Sequence, residues 1–159
     1  MTVKIGVCGA AGRMGKVILE VCKETPGVEI GAAIEQENSP YIGLDAGEVA
    51  GVGKLDVGIT DNISDIANEI DVLIDFTLAT SVIQNVEKCV SSKCKMVIGT
   101  TGLDEQQQAR IRSAASEIAI VFAPNMSIGV NLCFKLLEMA AKVVGKDSDV
   151  EIVEAHHRD

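Results

Sequence analysis

The sequence predicts an α/β fold in which helices cover both faces of a parallel sheet. Short apolar runs alternate along the chain with segments whose apolar residues recur at helical spacing. The apolar runs are nearly continuous, as is typical of strands buried on both faces. Hydrophobic residues make up 47% of the 159 residues, enough for a substantial core. We therefore predict a doubly wound parallel sheet.

Each element follows from a local pattern in the sequence. Residues 3–8 are an apolar strand that ends in a glycine-rich turn, residues 13–23 are a helix with one apolar face, and residues 28–34 complete a β-α-β unit. We expect further strands at 71–76, 95–99, 118–122 and 150–153, and helices at 61–69, 79–90, 104–116 and 127–144. Residues 36–56 lack periodicity and are predicted to form a long loop, which in a compact domain is usually functional or disordered.

The glycine loop predicts a dinucleotide site. Gly9, Gly12 and Gly15 are spaced as G-x-x-G-x-x-G between a predicted strand and a predicted helix, where glycines let the backbone approach a pyrophosphate. Arg13 lies in the same first turn, where a positive residue opposes the helix dipole unless an anion binds. Glu35 follows Gly15 by 20 residues at the end of the second strand, where a carboxylate can bind ribose hydroxyls. A plain turn and a surface glutamate are the alternatives.

Charge and cysteine spacing argue against several functional classes. A net charge of −9 disfavours binding to nucleic acid or to an anionic membrane. We find neither a signal peptide nor an apolar run long enough to span a bilayer, and we expect a cytoplasmic protein. The five cysteines contain no C-x-x-C pair, so we expect core thiols and no metal site.

Six motifs together resemble the dihydrodipicolinate reductase family, and the resemblance runs from end to end of the chain. In order they are Gly12-Arg13-Met14-Gly15, Gly43-Leu44-Asp45-Ala46-Gly47, Asp75-Phe76-Thr77, Gly99-Thr100-Thr101-Gly102, Ala123-Pro124-Asn125-Met126-Ser127 and Glu154-Ala155-His156-His157-Arg158. The resemblance implies a cytoplasmic NAD(P)H-dependent oxidoreductase of lysine and diaminopimelate biosynthesis. Such an enzyme reduces 4-hydroxy-tetrahydrodipicolinate to tetrahydrodipicolinate by hydride transfer.

The resemblance also implies roles for individual residues. Cofactor contacts are expected from Gly9, Gly12, Arg13, Met14, Gly15, Glu35, Phe76, Thr77, Gly99, Thr100, Thr101, Ala123, Asn125 and Met126. His156 is the acid/base candidate, with His157 and Arg158 as substrate contacts. Many family members carry an arginine next to the ribose-binding acidic residue, but this chain has Gln36 followed by Glu37. We therefore expect NADH to bind at least as well as NADPH.

The resemblance predicts a division of the chain and leaves alternatives open. Residues 1–126 are expected to form a Rossmann-like dinucleotide-binding domain, and 127–159 the hinge helix and first strand of an α+β domain for substrate binding and tetramerisation. The family motif continues past Arg158 into segments that this sequence lacks, so we expect a truncated chain that is inactive alone. A non-catalytic NAD(H)-binding regulatory module is the alternative function, although an adjacent His156-His157-Arg158 run favours a catalyst. A flavodoxin-like structural domain is disfavoured by the glycine loop with Glu35.

Overall fold

The central feature is a six-stranded parallel sheet. A computed structural model describes residues 2–66 and 68–153, with Asp65 described by its backbone alone. The strands are β1 (Val3–Cys8), β2 (Val28–Ile34), β3 (Ile59–Thr60), β4 (Val72–Asp75), β5 (Lys95–Ile98) and β6 (Ile120–Phe122), in the order β3-β2-β1-β4-β5-β6. This confirms the predicted doubly wound α/β class.

Helices cover both faces of the sheet, because neighbouring residues of a buried strand face opposite ways. Val7 belongs to an apolar cluster with Leu19, whereas the next residue, Cys8, belongs to a second cluster that contains Val86 and Ile111. The helices are α1 (Arg13–Glu24), α2 (Ala46–Ala50), α3 (Ile63–Ile66), α4 (Ala79–Ser92), α5 (Glu105–Ala114) and α6 (Ile128–Val144).

The predicted start of α5 is confirmed in atomic detail. The Asp104 carboxylate accepts a hydrogen bond from the Gln107 backbone N–H at 2.8 Å, and the Gln107 side chain accepts one from the Asp104 N–H at 2.9 Å. This reciprocal capping box satisfies two backbone donors that the helix itself leaves unpaired. The local sequence was sufficient to predict it because both partners lie within one turn.

Three expectations were wrong in part. The stretch 36–56 is not one irregular loop but contains α2, and it leads into the short strand β3, whose two residues give too weak a pattern to recognise. The helix expected at 61–69 is only Ile63–Ile66. Residues 150–153 are not in a strand, because a strand needs a hydrogen-bonded neighbour and the described part of the chain pairs none with them.

The chain divides into two compact units, Met1–Pro124 and Asn125–Asp159. In the second unit, the Ser127 side chain caps α6 by accepting a hydrogen bond from the Val130 N–H. No residue of α6 is buried, and its apolar residues include Leu132, Leu136 and Met139. Among the helices of the described residues, none combines the length and apolar character needed to cross a bilayer.

Candidate functional site

A cleft of about 580 Å³ opens at the carboxyl ends of the central strands. Here the strand order reverses, since β1 pairs with β2 on one side and with β4 on the other. Open α/β sheets bind ligands at such a switch point. The glycine loop after β1, the end of β2, the turn after β4 and one side of α4 line the cleft.

The glycines of the loop have different tasks. Gly9 has a φ of +67°, which side-chain-bearing residues rarely adopt. A Cβ at Gly15 would overlap the carbonyl oxygen of Gly9, so this glycine allows α1 to pack against the loop. Gly12 is exposed and lines the cleft, and its N–H donates to Gly9 O at 2.9 Å. Gly9 and Gly15 thus shape the loop, and Gly12 keeps the approach to it open.

The start of α1 is suited to an anion. The N-cap residue Gly12 has no side-chain cap, and the first turn contains no acidic residue. Arg13 is exposed at this end and lines the cleft. Backbone N–H groups and the positive end of the helix dipole make an uncapped helix start a natural phosphate site. The site therefore fits the pyrophosphate of a dinucleotide.

Glu35 joins the second strand to the glycine loop. Its Oε1 accepts a hydrogen bond from the Ala11 N–H at 3.0 Å, and its Oε2 accepts a longer one from the Gln36 N–H at 3.3 Å. These contacts orient the carboxylate at the mouth of the cleft, where it retains acceptor capacity for ligand hydroxyls. The spacing in the sequence predicted that Glu35 is near the loop, but not that it is bonded to it.

A buried carboxylate organises the turn after β4. Asp75 has no exposed surface. Its Oδ1 accepts from the Thr77 N–H at 2.9 Å, the Thr77 hydroxyl at 2.6 Å and the Thr100 hydroxyl at 3.3 Å. Its Oδ2 accepts from Asn85 Nδ2 at 2.8 Å. These contacts fix the carboxylate with four donors from three segments of the chain.

The glycine after β5 gives space to an aromatic ring. A Cβ at Gly99 would overlap the ring of Phe76, which lines the cleft. The Gly99 N–H also donates to Asp75 O at 2.9 Å. The turn after β5 therefore supports the ring from behind. Thr100 is buried at 3% exposure, so its hydroxyl faces Asp75 and not the cleft.

Cys8, the cysteine that lines the cleft, is poorly suited to act as a nucleophile. Burial, reinforced by the nearby Asp75 carboxylate, raises the pKa of the Cys8 thiol well above its ordinary value. A neutral thiol is a poor nucleophile and a poor metal ligand. Cys22, Cys89 and Cys94 are also buried, whereas Cys133 on α6 is exposed.

The structure brings together eight of the residues predicted to contact a cofactor. The cleft is lined by Gly9, Gly12, Arg13, Met14, Gly15, Glu35, Phe76 and Thr77. Gly99, Thr100, Thr101 and Ala123 do not line it, and Asn125 and Met126 belong to the second unit. His156, His157 and Arg158 lie outside the described residues.

Sequence reasoning missed the contribution of α4. Ser81, Asn85 and Lys88 line the cleft, and Leu78 lines it just before the helix begins. Their spacing of three, four and three residues places them on one side of the helix. That partly polar stripe is visible in the sequence and could have been used. The role of Asp75 has a local part, its bonds to Thr77 two residues on, but Asn85 and Thr100 lie 10 and 25 residues away and no sequence pattern connects them to it.

Comparison with known proteins identifies the family. Residues 3–126 match the family described as "Dihydrodipicolinate reductase, N-terminus". The chain belongs to the dihydrodipicolinate reductase family. The matched stretch includes the whole sheet and every residue that lines the cleft. The family assignment made from the six motifs is therefore confirmed.

Two curated relatives and one solved structure show the extent of the similarity. The 4-hydroxy-tetrahydrodipicolinate reductase of Psychrobacter arcticus is 49% identical over 156 residues, which are 98% of this chain and 56% of that protein. The enzyme of the same name from Methylococcus capsulatus is 48% identical over 158 residues, 99% of this chain and 59% of the relative. The chain thus spans little more than half the length of these relatives.

The solved structure is a dipicolinate-bound dihydrodipicolinate reductase from Paenisporosarcina sp. TG-14. It superposes with a TM-score of 0.70 at 23% identity, covering 89% of this chain and 54% of the other. At that identity the match supports the fold alone, and it agrees with the parallel sheet described above.

Proposed function

We propose that this chain forms the dinucleotide-binding part of a nicotinamide-dependent 4-hydroxy-tetrahydrodipicolinate reductase of lysine and diaminopimelate biosynthesis. The observation that carries the proposal is the glycine loop at an uncapped helix start, with Glu35 bonded to Ala11 beside it. This arrangement offers an anion site and a hydroxyl acceptor side by side in one cleft. Residues 1–126 would bind the nucleotide, and 127–159 would begin the substrate-binding region.

The nicotinamide, when bound, supplies a hydride, and the residues of the chain position it. Backbone N–H groups at the start of α1 would hold the pyrophosphate, and Glu35 would accept the adenosine ribose hydroxyls. Phe76 and Thr77, which line the cleft, would lie beside the nicotinamide. His156 is the proposed proton donor, since histidine exchanges protons near neutral pH, and His157 and Arg158 are the proposed contacts of a dicarboxylate substrate.

The regulatory-module alternative is disfavoured, because the curated relatives are named as reductases over nearly the whole of this chain. Dipicolinate, bound to the Paenisporosarcina protein, is a planar dicarboxylate of the class that we propose as substrate. Either NADH or NADPH would serve as cofactor. We propose that the protein acts in the cytoplasm, as a homotetramer at the length of its relatives, without nucleic-acid or membrane partners.

The decisive test separates binding from turnover. We expect the 159 residues alone to bind NADH but not to oxidise it with freshly generated substrate, whereas a protein extended to the length of the relatives does both. Orientation of the reacting groups can lower an activation barrier by roughly 7–11 kcal/mol. The residues proposed to orient the substrate lie in the last four positions of the sequence, so the 159 residues supply little of that contribution.

The assay follows NADH absorbance for both proteins, with His156→Gln in the longer one as the control for proton transfer. Equal rates from the two lengths would contradict the division of roles. Failure of both to bind NADH would contradict the proposed function itself.

A further inference from the structure

The side chain of Gln107 makes two hydrogen bonds, and only one of them belongs to the capping box of α5. Its Oε1 accepts from the Asp104 N–H at 2.9 Å, whereas its Nε2 donates to the carbonyl oxygen of Ala79 at 2.8 Å. A backbone N–H can only donate and a carbonyl oxygen can only accept, so these partners fix which way round the amide lies. Ala79 is 28 residues away in the chain. Gln107 therefore ties the first turn of α5 to another helix.

That other helix, α4, begins beside the cleft without a side-chain cap. Its N-cap residue is Leu78, whose side chain accepts no hydrogen bond, and Ala79 is its first residue. Leu78 and Ser81 both line the cleft, and Ala79 lies between them in the sequence. Gln107 is half-buried and does not itself line the cleft. Its bond thus reaches the first turn of α4 between two residues of the cleft wall.

We propose that Gln107 is a positioning residue for the nucleotide, which holds the first turn of α4 in the place where Leu78 and Ser81 form the cleft wall. The inference rests on the proposed function, in which this cleft binds a dinucleotide. Gln107 does not touch the ligand. It acts through Ala79, and the capping box of α5 supplies the fixed point from which its side chain reaches across.

The expected loss of affinity has a physical limit. Without the bond from Gln107, the first turn of α4 is free to shift, and a bound nucleotide must bring it back. The affinity then falls according to the fraction of molecules whose turn is in place. One hydrogen bond of ordinary net strength limits that loss to about fivefold. A purely structural role of Gln107 would lower the melting temperature and leave the affinity of the folded protein unchanged.

Two substitutions of Gln107 separate its two hydrogen bonds. At pH 8, Gln107→Glu can only accept, so it keeps the bond from Asp104, as glutamate does in other capping boxes, and loses the bond to Ala79. Gln107→Lys can only donate, so it keeps a donor for Ala79 and loses the bond from Asp104. In fluorescence titrations we expect Gln107→Glu to bind NADH about fivefold more weakly, and Gln107→Lys to stay within about twofold of the wild type.

The matched controls are Gln106→Glu and Gln106→Lys. They bring the same two charges to the neighbouring position, which is exposed. Salt screens a charge at such a position, so both controls should bind NADH like the wild type. Thermal melting of every variant ensures that each titration is made on folded protein.

The outcomes distinguish this inference from the proposed function. If the wild type does not bind NADH, the proposed function fails and the inference fails with it. If the wild type binds NADH and Gln107→Glu binds it as tightly, the inference alone is overturned. The same holds if Gln107→Lys or Gln106→Glu loses as much affinity as Gln107→Glu. Should Gln107→Glu not fold, Gln107→Met, of similar length and without either hydrogen-bonding group, takes its place with the same expected loss.

Discussion

Two carboxylates organise two neighbouring regions of this molecule in different ways. Asp75 is fully buried, and three of its four donors belong to side chains from different parts of the first unit. Asp45 is half-exposed and accepts only from backbone, the N–H groups of Gly47, Glu48, Leu55 and Val57 at 2.9–3.2 Å. The first arrangement fixes polar side chains beside the cleft. The second fixes the backbone of residues 36–58, the connection between β2 and β3.

The difference shows that a carboxylate can serve ligand binding or stability, depending on whether side chains or backbone N–H groups donate hydrogen bonds to it. Asp45 replaces the regular hydrogen bonding that residues 36–58 largely lack, which explains why this stretch is ordered without long elements. The backbone of β4 is already held by the hydrogen bonds of the sheet, so Asp75 is not needed to fix it. Changes near Asp75 should therefore alter ligand binding first, and changes near Asp45 should alter stability first.

The largest effect is expected for Gly12→Val. The side chain would stand in the cleft where the pyrophosphate approaches, and loss of two charge-assisted hydrogen bonds corresponds to about 100-fold weaker NADH binding or more. A Cβ at Gly12 would lie 3.1 Å from Gly9 O, a tight contact that a small shift of the exposed loop can relieve, so the fold should remain. Calorimetric titration and thermal melting measure the two properties. Unchanged NADH affinity would show that the site is misplaced.

Gly47→Ala is the counterpart in the connection. A Cβ at Gly47 would overlap the carbonyl oxygen of Gly53 and press on the Leu55 side chain. Overpacking of this kind costs about 1–3 kcal/mol. We expect a lower free energy of unfolding in urea with NADH affinity unchanged below the transition. Gly58→Ala, at a position with open space around it, is the matched control and should change neither property.

Gln36→Arg tests the preference for NADH over NADPH, at the point where the cleft meets the connection. Gln36 and Glu37 are exposed and line the cleft next to Glu35, and two carboxylates there disfavour the 2′-phosphate of NADPH. We expect wild-type protein to bind NADH at least as well as NADPH, and the arginine to improve NADPH binding about tenfold. Gln106→Arg on α5 is the control for added charge. A clear NADPH preference in the wild type would contradict the prediction.

The smallest effect is expected for the pH dependence of Asp45. Partial burial opposes its ionisation, but the N–H groups of Leu55, Glu48 and Gly47 outweigh burial and lower its pKa. A group with a lowered folded-state pKa stabilises the protein above its unfolded pKa, near 4, and loses that contribution as pH falls through the folded value.

The melting temperatures of the wild type and Asp45→Asn should therefore differ slightly at pH 7 and converge towards pH 3. Glu24→Gln, at an exposed position, serves as the control. If the difference in melting temperature did not change with pH, the shape of the Asp45 side chain and not its charge would account for the stabilisation.

The sequence alone determined the class of fold and the location of the cleft that we propose as the dinucleotide site. Strands β1, β2, β4 and β5, the long helices and the capping box of α5 depend on patterns within a few residues. The glycine loop is equally local, because its conformation and its close approach to α1 are set by Gly9 and Gly15 themselves. Spacing also placed Glu35 correctly at the end of β2.

Only the tertiary structure decided which polar groups meet. The bond from Ala11 to Glu35 crosses 24 residues, and Asp75, besides its local partner Thr77, accepts from Asn85 on α4 and from Thr100 after β5. These pairings depend on strand register and on which side of α4 faces the sheet. A local pattern specifies what one segment needs to bury, whereas a buried hydrogen-bonded group is satisfied by whichever segments the assembled sheet brings beside it.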